Sequence, residues 1–303
     1  MIATRGGMSD SSGLPGVSGD GAVTDEPGAG NTSSDDGPFP IAVDVPSLAR
    51  IRNAISGGEA NFAVDRDVVE SIAKATPSGL DGLQGFIEAL HRFKLRAMDT
   101  VAGESDVRQF LNLGTATPST GMVYEHVRPL VPDARVVYAS YDTTTLAHVH
   151  DLVRDAPAGT VAHVHSRFDD PGRILRGAAE TLDLDLPVAL VLPTTMNVVT
   201  DEVAQRLVDT LRDAVVPGSY VVMAQISLDI HAIGAAEAFE LLNSVLDEPY
   251  IARSRDAIAG HLEGFDLLDP GLVPIEQWRP DGDPPFLPDG QLIPLFSAVG
   301  RKP

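Results

Sequence analysis

The stretch FLNLGTATPSTG, Phe110 to Gly121, decides the fold. An apolar run ends at Asn112-Leu113-Gly114, a threonine-rich turn follows, and Pro118 stands where a helix would begin. Strand, glycine turn and helix in that order open a βαβ unit. Gly114 lets the backbone bend and approach a ligand closely, and the free N–H groups of the next helix favour an anion. A lone glycine turn also serves chains that merely need the bend, so its meaning comes from what surrounds it.

Five short runs rich in β-branched residues surround it: VRQFLNLG, ARVVYAS, GTVAHVHS, PVALVLPTT and GSYVVMAQIS. Each is nearly continuously apolar, as a strand covered on both faces should be. Helical patterns such as TTTLAHVHDLVRDA and DEVAQRLVDTLRDAV lie between them. The alternation predicts an α/β fold with a parallel, doubly wound sheet and right-handed crossovers, in which ligands sit at the carboxyl ends of the strands. The final segments FDLLDPGLVPIEQW and LIPLFSAVGRKP read as two late strands forming a hairpin across the Pro-rich loop 279–291.

Ahead of this sheet, residues 45–106 read as a helical cap. Two short helices break at Gly57-Gly58, and a longer one follows with Leu83, Phe86, Ile87, Leu90 and Phe93 at helical spacing. Residues 1–40 are Gly, Ser, Asp and Pro with few large apolar side chains, the composition of a disordered acidic tail. Residues 107–303 form the sheet domain.

Composition narrows the function. A net charge of −21 over 303 residues disfavours broad contact with nucleic-acid phosphates or anionic lipid surfaces. Cysteine is absent, which excludes disulfides, thiolate metal sites and a cysteine nucleophile. No apolar run approaches the ~20 residues of a membrane span, and MIATRGGMSDSSG has no apolar signal core, so a cytoplasmic protein is expected. The expected partner is a small-molecule ligand, with neither nucleic acid nor membrane and with a homodimer left open. His163 and His165 share a strand face, but no metal site is expected from the histidines.

The strand ends supply the candidate site. The first offers Asn112, Gly114, Thr115 and Ala116; the second Ser140, Tyr141 and Asp142; the third Ser166 and Arg167; the fourth Thr194 and Asn197. A ribose-binding site usually places an acid at the end of the second strand. Here that position is Ser140, and Asp142, two residues on, reads first as the cap of the helix starting at Thr143. Asp169-Asp170 read as another helix cap, and Trp278 as a packing anchor. Asn61, Asp65 and Arg66 read either as a lid over the pocket or as a helix pair held by an internal ion pair.

These residues resemble an actinobacterial S-adenosylmethionine-dependent methyltransferase family once catalogued as a domain of unknown function. The carriers are PSLARI, SGGEANFAVDRD, VRQFLNLGT, ARVVYASYDTTTLAH, DDPGRIL, LRDAVVPGSYVVMAQ, GFDLLDPGLVPIEQWRPDG and VGRKP, over roughly residues 46–303. The resemblance implies a class I methyltransferase-like, Rossmann-like sheet of seven strands in the order 3-2-1-4-5-7-6, the seventh antiparallel. It implies S-adenosyl-L-methionine over the first two strands. Asn112, Gly114, Thr115, Ala116, Ser140, Tyr141, Asp142, Ser166, Arg167 and Thr194 would then contact this donor, and Asn61, Asp65, Arg66 and Asn197 the substrate.

The departures from the family pattern cluster at that pocket. Asp-Ile-Gly-Thr-Gly has become Asn112-Leu113-Gly114-Thr115-Ala116, and the family's acids at Ser140 and Arg167 are absent. Asn197-Val198 replaces His-Phe, and Arg52 to Gly58 replaces Tyr-Asp-Tyr-Leu-Leu-Gly-Gly. Charge-assisted hydrogen bonds contribute about 1.5–3 kcal/mol each, so two lost contacts imply donor binding weakened on the order of 10²–10⁴-fold. The competing expectation is a methyltransferase fold that has lost methyl transfer and binds another ligand, catalyses a different step or acts as a non-catalytic partner.

Overall fold

Runs of Val, Ile, Leu and Ala buried on both faces build the centre of the molecule. In the computed structural model, which describes residues 41–114, 122–280, 282 and 291–303, they form five parallel strands. These are β1 (Gln109–Leu113), β2 (Arg135–Ser140), β3 (Val161–His165), β4 (Val188–Pro193) and β5 (Tyr220–Ile226). Every residue of β1, β4 and β5 is buried, which explains why they read as continuous apolar runs rather than alternating ones.

The closing segments add β6 (Asp266–Leu267), β7 (Val273–Pro274) and β8 (Leu295–Arg301). The sheet order is β3-β2-β1-β4-β5-β8-β6, with β7 also paired to β8. The last strand inserts antiparallel beside β5, as the resemblance implies. One detail of the expectation is corrected: the segment before the Pro-rich loop gives two short strands rather than one, so there are eight. The chain turns between them at Asp269-Pro270-Gly271, with Gly271 at φ 86°.

Three helices precede the sheet: α1 (Leu48–Ile55), α2 (Ala63–Ala75) and α3 (Gly79–Glu104). The break between the first two falls at Gly57, whose φ of 72° ends the helix. The crossovers are α4 (Val123–Val127), α5 (Thr143–Asp155), α6 (Pro171–Ala178) and α7 (Asp201–Ala214). Then come α8 (Ala235–Val245) and α9 (Arg255–His261). Asp142 and Asp170 cap α5 and α6, accepting from the N–H groups of Thr145 and Arg173.

Strand periodicity divides the core. Phe110, Tyr138, Val191 and Val222 face α3 and α4, whereas Leu111, Val137, Leu190 and Val221 face α6, α7 and α9. Trp278 is fully buried, its ring edge-on to Phe93 at 5.4 Å between centroids. Its backbone carbonyl accepts from Arg96. Each such large side chain contributes about 1.5–3 kcal/mol through burial. A third, smaller cluster joins α1, α2 and α3 through Ile51, Ile55, Val69, Ile72 and Ile87, with Ala238, Leu241 and Leu242 of α8 packed against it. No helix among the described residues is long and apolar enough to cross a membrane. Residues 1–40, Thr115, Ala116 and most of the loop 279–291 lie outside the described residues.

Gly300 marks the tightest point of the antiparallel insertion, lying opposite Val221 on one side and Leu267 on the other. A Cβ there would meet Phe265 Cβ at 2.9 Å and Leu267 Cδ2 at 3.1 Å. Gly300→Ala should therefore cost about 1–3 kcal/mol, measured as a lowered urea midpoint. An unchanged midpoint would show that β8 has room to shift.

Candidate functional site

At the carboxyl ends of β1, β2 and β4, where the strand order reverses, a cavity of about 250 Å³ opens. Its floor is built by tight turns. Gly114 has φ 120°, and a Cβ on it would meet Thr195 Oγ1 at 3.0 Å. That hydroxyl in turn donates to the carbonyl of Leu113 at 2.5 Å. Thr194, in the left-handed region at φ 55°, donates its N–H to Ala224 and turns its side chain to the cavity.

Ser140, Tyr141 and Asp142 form the wall after β2. Ser140 Oγ accepts from the Asp142 N–H at 3.1 Å. Asp142 Oδ1 caps α5 at 2.6 Å, while Oδ2 accepts from the Ser47 hydroxyl at 2.8 Å. The helix-cap reading of Asp142 is therefore right, and the same carboxylate also lines the cavity.

The segment between α8 and α9 contributes Asp247 and Glu248. Glu248 accepts from the Tyr141 hydroxyl at 3.0 Å and from Arg167 Nη2 at 2.5 Å. The Arg167 guanidinium lies over the Tyr141 ring, 5.1 Å from its centroid. Burial, then the Glu248 charge, pushes the Tyr141 phenol well above its ordinary range. The Glu248 hydrogen bond raises Arg167 further. Arg167 is thus committed to Glu248 and Tyr141 and is not among the described lining of the cavity.

Asn112 and Ser166 also stand behind the cavity rather than in its described lining. Asn112 is buried on β1, and its side-chain Nδ2 has no partner among the described residues. Ser166 donates its hydroxyl to the Arg167 carbonyl and its N–H to that of Ser140.

The four expected substrate contacts have other work. Asp65 is fully buried: Oδ1 accepts from the Ser47 N–H, and Oδ2 from Arg50 Nε at 2.7 Å and the Phe62 N–H at 2.9 Å. Both of its oxygens are consumed inside the cap. Arg66 is exposed and bonds Asn61 Oδ1, while Asn61 Nδ2 donates to Asn53 and to the Gly58 carbonyl. Asn197 is buried, accepting from the Ile226 N–H and donating to the Ile251 carbonyl. Of the two sequence readings, the internal ion pair describes this region.

Polar lining residues that escaped the sequence reading include Ser47, Arg52, Asp247 and Glu248. Arg52 is buried on α1, and one Nη2 donates to Thr194 Oγ1 at 2.6 Å and to the Tyr250 hydroxyl at 2.8 Å. Its signal was in the pattern, because Arg52 shares the apolar stripe of Leu48 and Ile55. An arginine on such a stripe needs a buried partner.

Comparison with known proteins agrees with this geometry. Residues 35–303 match the family model described as S-adenosyl methyltransferase. The chain is similar to a Thermobifida fusca protein assigned as a methyltransferase, at 30% identity and TM-score 0.75, covering 86% of this chain and 96% of that one. It is also similar to a DUF574 family protein from Streptomyces avermitilis, at 27% identity and TM-score 0.79, covering 86% and 99%. Among curated proteins none matches.

Removing the Asp65 carboxylate would leave the buried Arg50 guanidinium and two backbone N–H groups unpaired. Asp65→Ala should cost about 3–5 kcal/mol, measured by urea unfolding. A loss below about 1 kcal/mol would show that the pair does not hold the cap together.

Proposed function

The chain belongs to the S-adenosyl methyltransferase family, and we propose that it methylates a small molecule while holding its donor through an altered and weakened set of contacts. S-adenosyl-L-methionine is the family's cofactor. When bound, it supplies an electrophilic methyl group on a sulfonium sulfur.

The residues present fit such a donor. Gly114 keeps the floor open to close backbone approach. Asp142, Asp247 and Glu248 line the cavity together with Arg52; Glu248 is already paired with Arg167, which leaves Asp142 and Asp247 as the carboxylates that favour a cation. The buried Asn112 amide has a donor without a partner among the described residues. The observation that carries the reading is Asp142 in the cavity wall: it supplies, two residues late, the acid missing at Ser140.

The same geometry supports the reading of a weakened donor site. Both Asp142 oxygens are already engaged, by Thr145 and Ser47. A ribose hydroxyl must displace the Ser47 contact or share it, whereas Ser140 offers only a hydroxyl. Asp142 would orient the ribose, the glycine turn would hold the donor's tail, and Leu48, Phe168 and Val198 would exclude water from the cavity.

Calorimetric titration with S-adenosylmethionine and S-adenosylhomocysteine tests the reading. Dissociation constants on the order of 0.1–1 mM are expected. Ser140→Asp should tighten binding about tenfold, and Asp142→Asn should loosen it by about the same factor. Arg167→Asp should not help, since it would set a carboxylate beside Glu248. Silence at millimolar ligand would overturn donor binding, and low-micromolar binding by the unaltered chain would overturn the weakened contacts.

A further inference from the structure

A second cavity adjoins the first, and nothing above gives it a role. It is a partly open chamber of about 140 Å³ between α1, α2, α3 and α8, with Ile51, Ile72, Phe86, Ile87 and Phe239 in its wall. An apolar cavity of ~150 Å³ stays dry and accepts one benzene ring. The exposed side chains of Leu228 and Ile233 extend its apolar wall toward solvent.

Its polar groups are few. Arg52 and Leu48 line both this chamber and the cavity at the strand ends. The same Arg52 Nη2 reaches Thr194 on the one side and the Tyr250 hydroxyl on the other. Tyr250 in turn stacks on Phe239, centroids 5.7 Å apart. The Thr76 hydroxyl, also in the wall, is buried and has no partner among the described residues. Burial, and after it the Arg52 charge, brings the Lys94 amine down to about 8, and a negative group beside Arg52 would be attracted to that guanidinium.

We propose that this chamber binds a single-ring aromatic molecule carrying one anionic oxygen group, the ring among the isoleucine and phenylalanine side chains and the oxygen at Arg52 and Tyr250. The volume sets the ring size, the apolar wall sets its character, and the guanidinium shared by the two cavities sets the position of the oxygen. That the molecule is the methyl acceptor rests on the donor reading of the adjoining cavity; the binding itself does not.

The test uses 4-fluorobenzoate as probe on the full chain with isoleucine methyl labels. Ile51, Ile55, Ile72 and Ile87 methyl signals should shift on titration, while Ile174 and Ile258, on the opposite sheet face, stay fixed. Ala238→Phe, which fills the chamber, should abolish the shifts. Arg52→Met should weaken 4-fluorobenzoate about tenfold or more but leave fluorobenzene within about twofold. The methyl spectrum of each variant reports whether it has folded. Shifts at Ile174 instead, or no shifts at millimolar probe, would overturn the proposal. S-adenosylhomocysteine titrated into the same samples separates the two readings. S-adenosylhomocysteine binding without probe binding overturns the chamber alone. Probe binding without S-adenosylhomocysteine binding upholds the chamber as a site and overturns its role as the acceptor's seat.

Discussion

The buried Asp65 carboxylate fixes the path of the chain before α2, and through it the position of α1 over the strand ends. One oxygen takes the Ser47 N–H just before α1, and the other takes Arg50 and the Phe62 N–H just before α2. A buried ion pair of this kind is weak evidence for net stability, but it is costly to break and it specifies geometry. Here the geometry brings the Ser47 hydroxyl to Asp142 and the Arg52 guanidinium to Thr194. The cap therefore forms one wall of the cavity, and the sheet alone would leave it open on that side.

The charges around that cavity are balanced by pairing rather than by removal. Arg167 at the end of β3 is answered by Glu248 from the segment after α8, with Tyr141 between them as a stacking surface and hydrogen-bond donor. Both Arg167 and Glu248 retain exposure, so solvent screening limits what the pair adds to stability. Its consequence is local: it binds the third strand's end to the α8–α9 segment and withdraws a cation from the space where a sulfonium would lie. After β2 the carboxylate that lines the cavity is that of Asp142, which serves as a helix cap at the same time.

The sheet was legible because its strands are buried on both faces, which writes them as unbroken apolar runs, and because helical periodicity separates them. The family's antiparallel last strand was legible from the resemblance of VGRKP and the preceding GFDLLDPGLVPIEQW. Two short strands in place of one were not, since a two-residue strand carries no period. Within the site, Gly114, Ser140, Tyr141, Asp142 and Thr194 were found by asking what stands at each strand end. Asn61, Asp65 and Arg66 of the cap and Asn197 after β4 are polar residues near the site, and only the hydrogen-bond geometry separates a structural role from a contact. Glu248 could not be read, because the partner that gives it meaning, Arg167, lies far away in sequence and meets it only in the fold.

Amide hydrogen exchange, with and without saturating S-adenosylhomocysteine, measures most directly whether cap and sheet form one ligand site. Protection should rise together in residues 46–52 and 140–145, the two sides joined by Ser47 and Asp142. Protection rising at the strand ends while residues 46–52 stay unchanged, or falling there, would contradict a site built by both halves.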